Sequence, residues 1–109
     1  MNPEILRALA EPTRLRIVEL LRNGPITVGE IASKLQIRQP QASKHLKVLN
    51  EAQIVDVDSV ANRRFYKLRS QSLQEMDYWL STFRSLWKNQ YDELDEYLTQ
   101  FQNQRSREE

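Results

Sequence analysis

The sequence predicts a mainly α-helical domain carrying one small β-hairpin and ending in a long helix. Three observations predict it. From Thr27 to Asn50, TVGEIASKLQIRQPQASKHLKVLN, apolar residues recur at helical spacing in two short blocks. After Asn50 the pattern changes to short runs of β-branched and aromatic residues. From Ser72 to Phe101 the chain then continues without a glycine or proline.

Taken in order, Asn2-Pro3 can cap and begin a short helix with Ile5, Leu6 and Leu9 inward, and Glu11-Pro12 ends it and starts another. The second, Pro12 to Arg22, carries Leu15, Ile17, Val18, Leu20 and Leu21, apolar on most sides, and reads as the central helix. Asn23-Gly24 supplies a left-handed C-cap.

Thr27 followed by Glu30 is a capping-box pattern, hydroxyl to one free N–H and carboxylate back to another. Val28, Ile31, Ala32 and Leu35 then line one face, with Glu30, Ser33 and Lys34 on the other. Small Ala32 lets a second helix cross closely, and Ile37 plugs the corner. Gln36 stands in the turn where glycine is often found. The second helix restarts at Gln39-Pro40, where proline costs no hydrogen bond. Ala42, Leu46 and Leu49 face inward; Gln41, Ser43, Lys44 and Lys47 face out, with Arg38 and Gln39 at the entry. Glutamine pairs with adenine edges, lysine reaches guanine or phosphate, and serine serves either. This is a helix-turn-helix whose second helix suits a major groove. A merely solvated amphipathic helix would account for those polar residues taken alone; the capped first helix, packed turn and basic hairpin around them favour recognition.

Ile54 to Asp58 and Arg64 to Leu68 read as two strands, with Ser59 to Arg63 as the tip. Asn62 suits a turn, and Arg63-Arg64 bring two guanidinium groups beside it. A helix-turn-helix followed by a basic hairpin is a winged helix, in which the arginines enter a minor groove or hold phosphates. The predicted class is therefore mainly α with a small β-hairpin, a winged helix-turn-helix with a long C-terminal dimerisation helix.

That last helix opens with a second capping-box pattern, Ser72 to Glu75, and runs to about Phe101 as one helix or two with a bend. Leu73, Leu80, Trp87, Leu94 and Phe101 recur every seven residues, with Met76, Phe83, Gln90 and Tyr97 between them. Thirty residues span about 45 Å, more than a domain of this size covers with its own core, so a second copy is expected to bury the remainder. The expected dimer contacts are Leu73, Met76, Leu80, Phe83, Trp87 and Leu94, with Ile5 and Leu9 from the first helix.

At 109 residues, 39% hydrophobic and 28% charged, the chain suits one globular domain, residues 1–101, with a disordered tail at 102–109. No stretch approaches the roughly 20 apolar residues of a membrane span, and the N-terminus lacks a signal-peptide run, so the expected location is the cytoplasm. There is no cysteine and a single histidine, His45; the glycines are at 24 and 29 alone. A thiolate metal site, a phosphate-binding glycine loop and a catalytic site have nothing to be built from, so no enzyme, metal or cofactor is expected. The net charge of +1 hides a division: up to Arg69 twelve basic residues face seven acidic ones, a balance of +5, and beyond it four face eight, a balance of −4. The first part is built to meet an anion.

The segments EPTRLRIVELL, ITVGEIASKL, QPQASKHLKVLNEAQIV and RRFYKL resemble the ArsR/SmtB family of small dimeric winged-helix repressors. The resemblance covers nearly the whole chain, and EPTR and SKHLKVL are its most specific parts. Aromatics spaced as in DYWLSTFRSLWKNQYDELDEYL are similar to the branch lacking metal sites. Family sensors often hold metal through cysteines at the start of the first helix-turn-helix helix, where this chain has Thr27 and Gly29; others use histidines on the last helix, which has none. His45 is expected to be packed or phosphate-touching rather than a ligand.

The expected function is a homodimeric, sequence-specific transcriptional repressor on palindromic double-stranded DNA, with repression of its own or a neighbouring operon implied by the resemblance. The sequence leaves open the operator, the regulated genes, and an inducer or partner protein. A protein-interaction module binding its partner through the long helix is the alternative, and an RNA-binding winged helix a third; the basic first part and polar recognition face argue against the former, and competition with duplex DNA separates the latter.

Overall fold

The computed structural model describes residues 1–108, with the side chains of all of them except Asn89, Tyr91, Asp92 and residues 105–108. The order is α1 (Pro3–Leu9), α2 (Pro12–Leu21), β1 (Ile26–Thr27), α3 (Val28–Leu35), α4 (Gln39–Glu51), β2 (Val55–Val60), β3 (Arg63–Leu68), α5 (Ser70–Ser81) and α6 (Ser85–Glu108). The chain divides into two compact units, Met1–Met76 and Asp77–Glu109. No described helix is long and apolar enough to cross a membrane.

Side chains outside the helices start the first two. Asn2 Oδ1 accepts from the Glu4 N–H at 3.0 Å, and Glu11 Oε2 from the Arg14 N–H at 2.8 Å, each just before a first-turn proline. Arg14 folds back to donate to the carbonyls of Ala8 (2.5 Å) and Arg7 (3.4 Å) at the end of α1. EPTR is thus a joint: its acid caps the helix that begins and its arginine caps the one that ends.

Burial corrects the expected inward faces of both. In α1 the buried residues are Ile5 and Ala8, while Leu6 is exposed. In α2 only Ile17 and Leu21 are buried; Leu15 is 45% exposed, on a face it shares with Arg16 and Glu19. The helix contacts α1, α3, α4 and β3 and still keeps a solvent side. It ends at Leu21 with Arg22, in a right-handed conformation, as its C-cap in place of the expected Asn23-Gly24, and the chain turns at Gly24, whose φ of +128° favours a residue without a Cβ.

The helix-turn-helix forms as read. Thr27 caps α3, its Oγ1 accepting from the Glu30 N–H at 3.2 Å. Gln36 takes the left-handed conformation (φ 56°, ψ 46°) at the end of α3, and the Ile37 N–H closes the turn on the Ala32 carbonyl at 3.0 Å. Ile31, Ala32, Ala42, Leu46 and Leu49 are buried. Ile17, Ile31, Leu46, Leu49, Ile54 and Val55 are fully buried, each worth about 1.5–3 kcal/mol by area. They come from α2, α3, α4 and the start of the hairpin, so one core holds the inner face of the second helix of the motif.

The hairpin is tighter than expected. Its strands reach Val60 and resume at Arg63, leaving Ala61 and Asn62 as the turn, with Ala61 at φ +56°. Pairing continues to the last rung, Val60 opposite Arg63, which draws Arg63 out of the tip and into the ladder. A third strand, unforeseen from sequence, joins it: Ile26 and Thr27 pair with Tyr66 and Phe65, giving the order β1-β3-β2.

The long C-terminal element is two helices. Helix α5 starts at Ser70, two residues before the expected cap, because Ser72 is buried and its hydroxyl donates to the Gln53 carbonyl. The Glu75 carboxylate accepts instead from the Asn2 N–H at 3.1 Å. After Ser81 the N–H groups of Thr82, Phe83 and Arg84 bond to the carbonyls three residues back, a tight turn without glycine or proline. The Ser81 and Thr82 hydroxyls donate to the Tyr78 and Trp79 carbonyls, competing with the helical ladder there. The heptad seam from Leu73 to Phe101 is therefore divided, and α6 runs on to Glu108.

Candidate nucleic-acid interface

The core decides which face of α4 is left over. With Ala42, Leu46 and Leu49 buried, a projection at about 100° per residue puts Pro40, Lys44 and Lys47 opposite the core, Ser43 on one flank and Gln41 on the other. Arg38, Gln39, Gln41, Ser43, Lys44 and Lys47 are all exposed, as are Asn62, Arg63 and Arg64 on the wing. Lys44 and Lys47 hold the middle of the stripe, facing directly away from the core.

Gln39 has a different neighbourhood. It lies on an open groove of about 580 Å³ together with Asn62, Arg63 and Arg64 of the wing and Thr27, Val28, Gly29 and Glu30 at the start of α3. The first turn of α3 was absent from the sequence reading of the site. The dipeptide Ile26-Thr27, too short a run to be read as a strand, ties that turn to β3 beside the wing arginines.

Charge on the wing is sorted by the ladder. Asp58 pairs with Lys67 at 2.8 Å and Asp56 with Arg69 at 4.0 Å, and the hydrogen bond that the Lys67 ammonium donates to Asp58 holds it above its ordinary range. Among the described residues, Arg63 and Arg64 take part in no ion pair, nor do Arg38, Lys44 and Lys47. Adjacent strand residues alternate faces, so Arg64 lies with Ser59, Val57 and Tyr66, and Arg63 with Val60, Asp58 and Phe65. The cations near the root are matched by carboxylates, and those by the tip have none beside them among the described residues.

His45 packs behind this face. Its Nδ1 is 3.7 Å from Glu11 Oε2. The Glu11 carboxyl is held below its ordinary range, first by the Arg14 backbone N–H and further by His45 and Arg14. The EPTR joint thus also touches the second helix of the motif, a link between distant segments with no sequence signal. Among the described residues no group of three or more His, Cys, Asp or Glu is placed to hold a metal ion.

Of the expected dimer residues, Ile5 is corrected. It is 2% exposed within the monomer's core and has no surface to offer a partner. Leu9 and Met76 are half-buried against the same core, and Leu73 is half-buried. In the second unit Leu80, Phe83 and Leu94 are exposed and Trp87 is half-buried. The same unit exposes Leu86, Tyr97, Leu98 and Phe101, with Trp79 and Phe83 in edge contact at 5.2 Å.

Residues 9–58 match the profile of a helix-turn-helix domain family. The transcriptional repressor SdpR of Bacillus subtilis is 32% identical over 72% of this chain and 88% of its own length. The biofilm growth-associated repressor of Agrobacterium fabrum is 47% identical over 59% of this chain, which spans 55% of that protein. Among solved structures, that of the ArsR family transcriptional regulator RHA00566 superposes with a TM-score of 0.69 at 27% identity, covering 79% of this chain and 89% of the other.

Proposed function

This chain belongs to the ArsR/SmtB family of winged helix-turn-helix transcriptional regulators, and we propose that it acts as a homodimeric, metal-independent repressor binding a palindromic operator. The observation that carries the reading is the exposed polar and basic face of α4, backed by the buried Ala42, Leu46 and Leu49 and flanked by two wing arginines with no acidic partner among the described residues. Lys44 and Lys47 enter the major groove, Ser43 and Gln41 read from the flanks, and Gln39 meets the backbone where wing and helix converge. The wing adds affinity through phosphates.

Dimerisation supplies the second half-site. Leu80 and Leu94 lie exposed on the C-terminal helices and Phe83 in the turn between them, where a partner copy would cover them. Two-fold symmetry then presents two α4 faces to one side of the duplex, about one helical turn apart. Absence of thiolates, and of imidazole other than His45, supports metal independence, since carboxylates alone hold soft ions poorly.

Selection of bound sites from random duplexes tests this. It should return a palindrome, on which Gln41→Ala and Lys44→Ala each lose roughly 1–3 kcal/mol, with less effect on arbitrary DNA. Sedimentation of the Leu80→Asp, Leu94→Lys variant should show monomers that keep weak half-site binding. Recovery of no common sequence, or a folded variant that remains dimeric, would overturn the recognition and assembly parts respectively.

A further inference from the structure

Gly29 is a glycine that the fold does not require. It lies in the first turn of α3 without a positive φ, and an added Cβ would meet nothing nearer than Thr27 Oγ1 at 4.0 Å, an ordinary contact. Gly24 differs, its φ of +128° excluding other residues. Glycine is among the poorest helix formers, so alanine at position 29 would suit the isolated monomer better. The reason for its lack of a side chain lies outside the monomer.

Its surroundings indicate what approaches. Gly29 lines the groove whose other wall is Asn62, Arg63 and Arg64 of the wing. Those arginines make no ion pair among the described residues, whereas Lys67 and Arg69 are matched to Asp58 and Asp56. Glu30, also in the groove, repels an anion, which leaves the wing wall as the attracting one. A polyanion held by the arginines still lies within the groove that Gly29 lines, and the missing side chain there leaves it room.

We propose that the sugar-phosphate backbone of one DNA strand runs through this groove, held by Arg63 and Arg64 and packed directly against Gly29. The first turn of α3 is then part of the DNA contact surface, with close backbone approach as the job of its glycine. This rests on the DNA-binding reading above and extends it to a wall of the site that carries no base-reading side chain. Because the contact is to the backbone, it acts on every sequence alike.

Gly29→Ala and the bulkier Gly29→Leu, both good helix formers, test it in the full chain. Thermal unfolding should show both variants at least as stable as the parent. Fluorescence anisotropy with labelled duplexes, one of arbitrary sequence and one from selection, should show both weakened by the same factor, about tenfold for alanine and more for leucine. Variants as stable as the parent that bind with unchanged affinity would overturn the proposal, as would weakening confined to the selected sequence. A loss of stability in Gly29→Ala would overturn its premise. A parent protein that binds neither duplex would overturn the DNA-binding reading itself, which separates the two failures.

Discussion

Replacing Arg63 and Arg64 together by alanine should flatten the salt dependence of DNA binding by an amount the structure lets one work out. Neither guanidinium is in an ion pair among the described residues, so each one that contacts a phosphate releases a condensed counterion when it binds. Each such contact contributes about 0.9 to the slope of log K against log salt, so the pair contributes about 1.8 per protomer. Between about 50 and 200 mM salt that corresponds to roughly a twelvefold change in affinity per protomer, which the variant should no longer show. Lys67 is the internal control: it is bonded to Asp58 at 2.8 Å, and Lys67→Ala should leave the slope nearly unchanged because an already paired ammonium releases little. Since both arginines line the same groove, each single variant should lose about 0.9 of the slope, half of the pair's effect. The assay is anisotropy titration of arbitrary and selected duplexes at four salt concentrations. A double variant with the parent's slope, or a Lys67→Ala variant with an equally flattened one, would refute the assignment of the tip arginines to phosphate.

Two further outcomes concern stability. Gln36 holds a left-handed conformation at φ 56°, which costs an L-residue roughly 1–2 kcal/mol, so Gln36→Gly should raise thermal stability by about 1 kcal/mol once the glycine's extra unfolded-state entropy is set against the relief; a lower melting temperature would show that the Gln36 side chain holds the turn. Glu11 has its carboxyl held below the ordinary range by the Arg14 N–H, so its contribution is present above that range and lost as pH falls through the folded-state value. The stability difference between parent and Glu11→Gln should therefore shrink between about pH 6 and pH 3, and a difference that stays constant would mean the charge on Glu11 is not what caps α2.

By itself the sequence determined the elements whose causes are local. Pro3, Pro12 and Pro40 mark helix starts because a first-turn N–H is dispensable, and Ala42, Leu46 and Leu49 mark the inner face of α4 by spacing alone. Once that face is buried, the exposure of Gln41, Ser43, Lys44 and Lys47 follows. Tertiary structure decided what depends on residues far apart in the chain. Ile26 and Thr27 are too short a run to be read as a strand and become one because β3, some forty residues on, offers them a ladder. Ile5 is expected from the sequence both to face inward and to meet a partner, and the monomer's own core takes it entirely. Ser72 looked like a cap and is instead bonded to Gln53, nineteen residues earlier. The wall of the groove at Gly29 exists because that same ladder sets the start of α3 beside the wing, and no local pattern in either segment encodes the meeting.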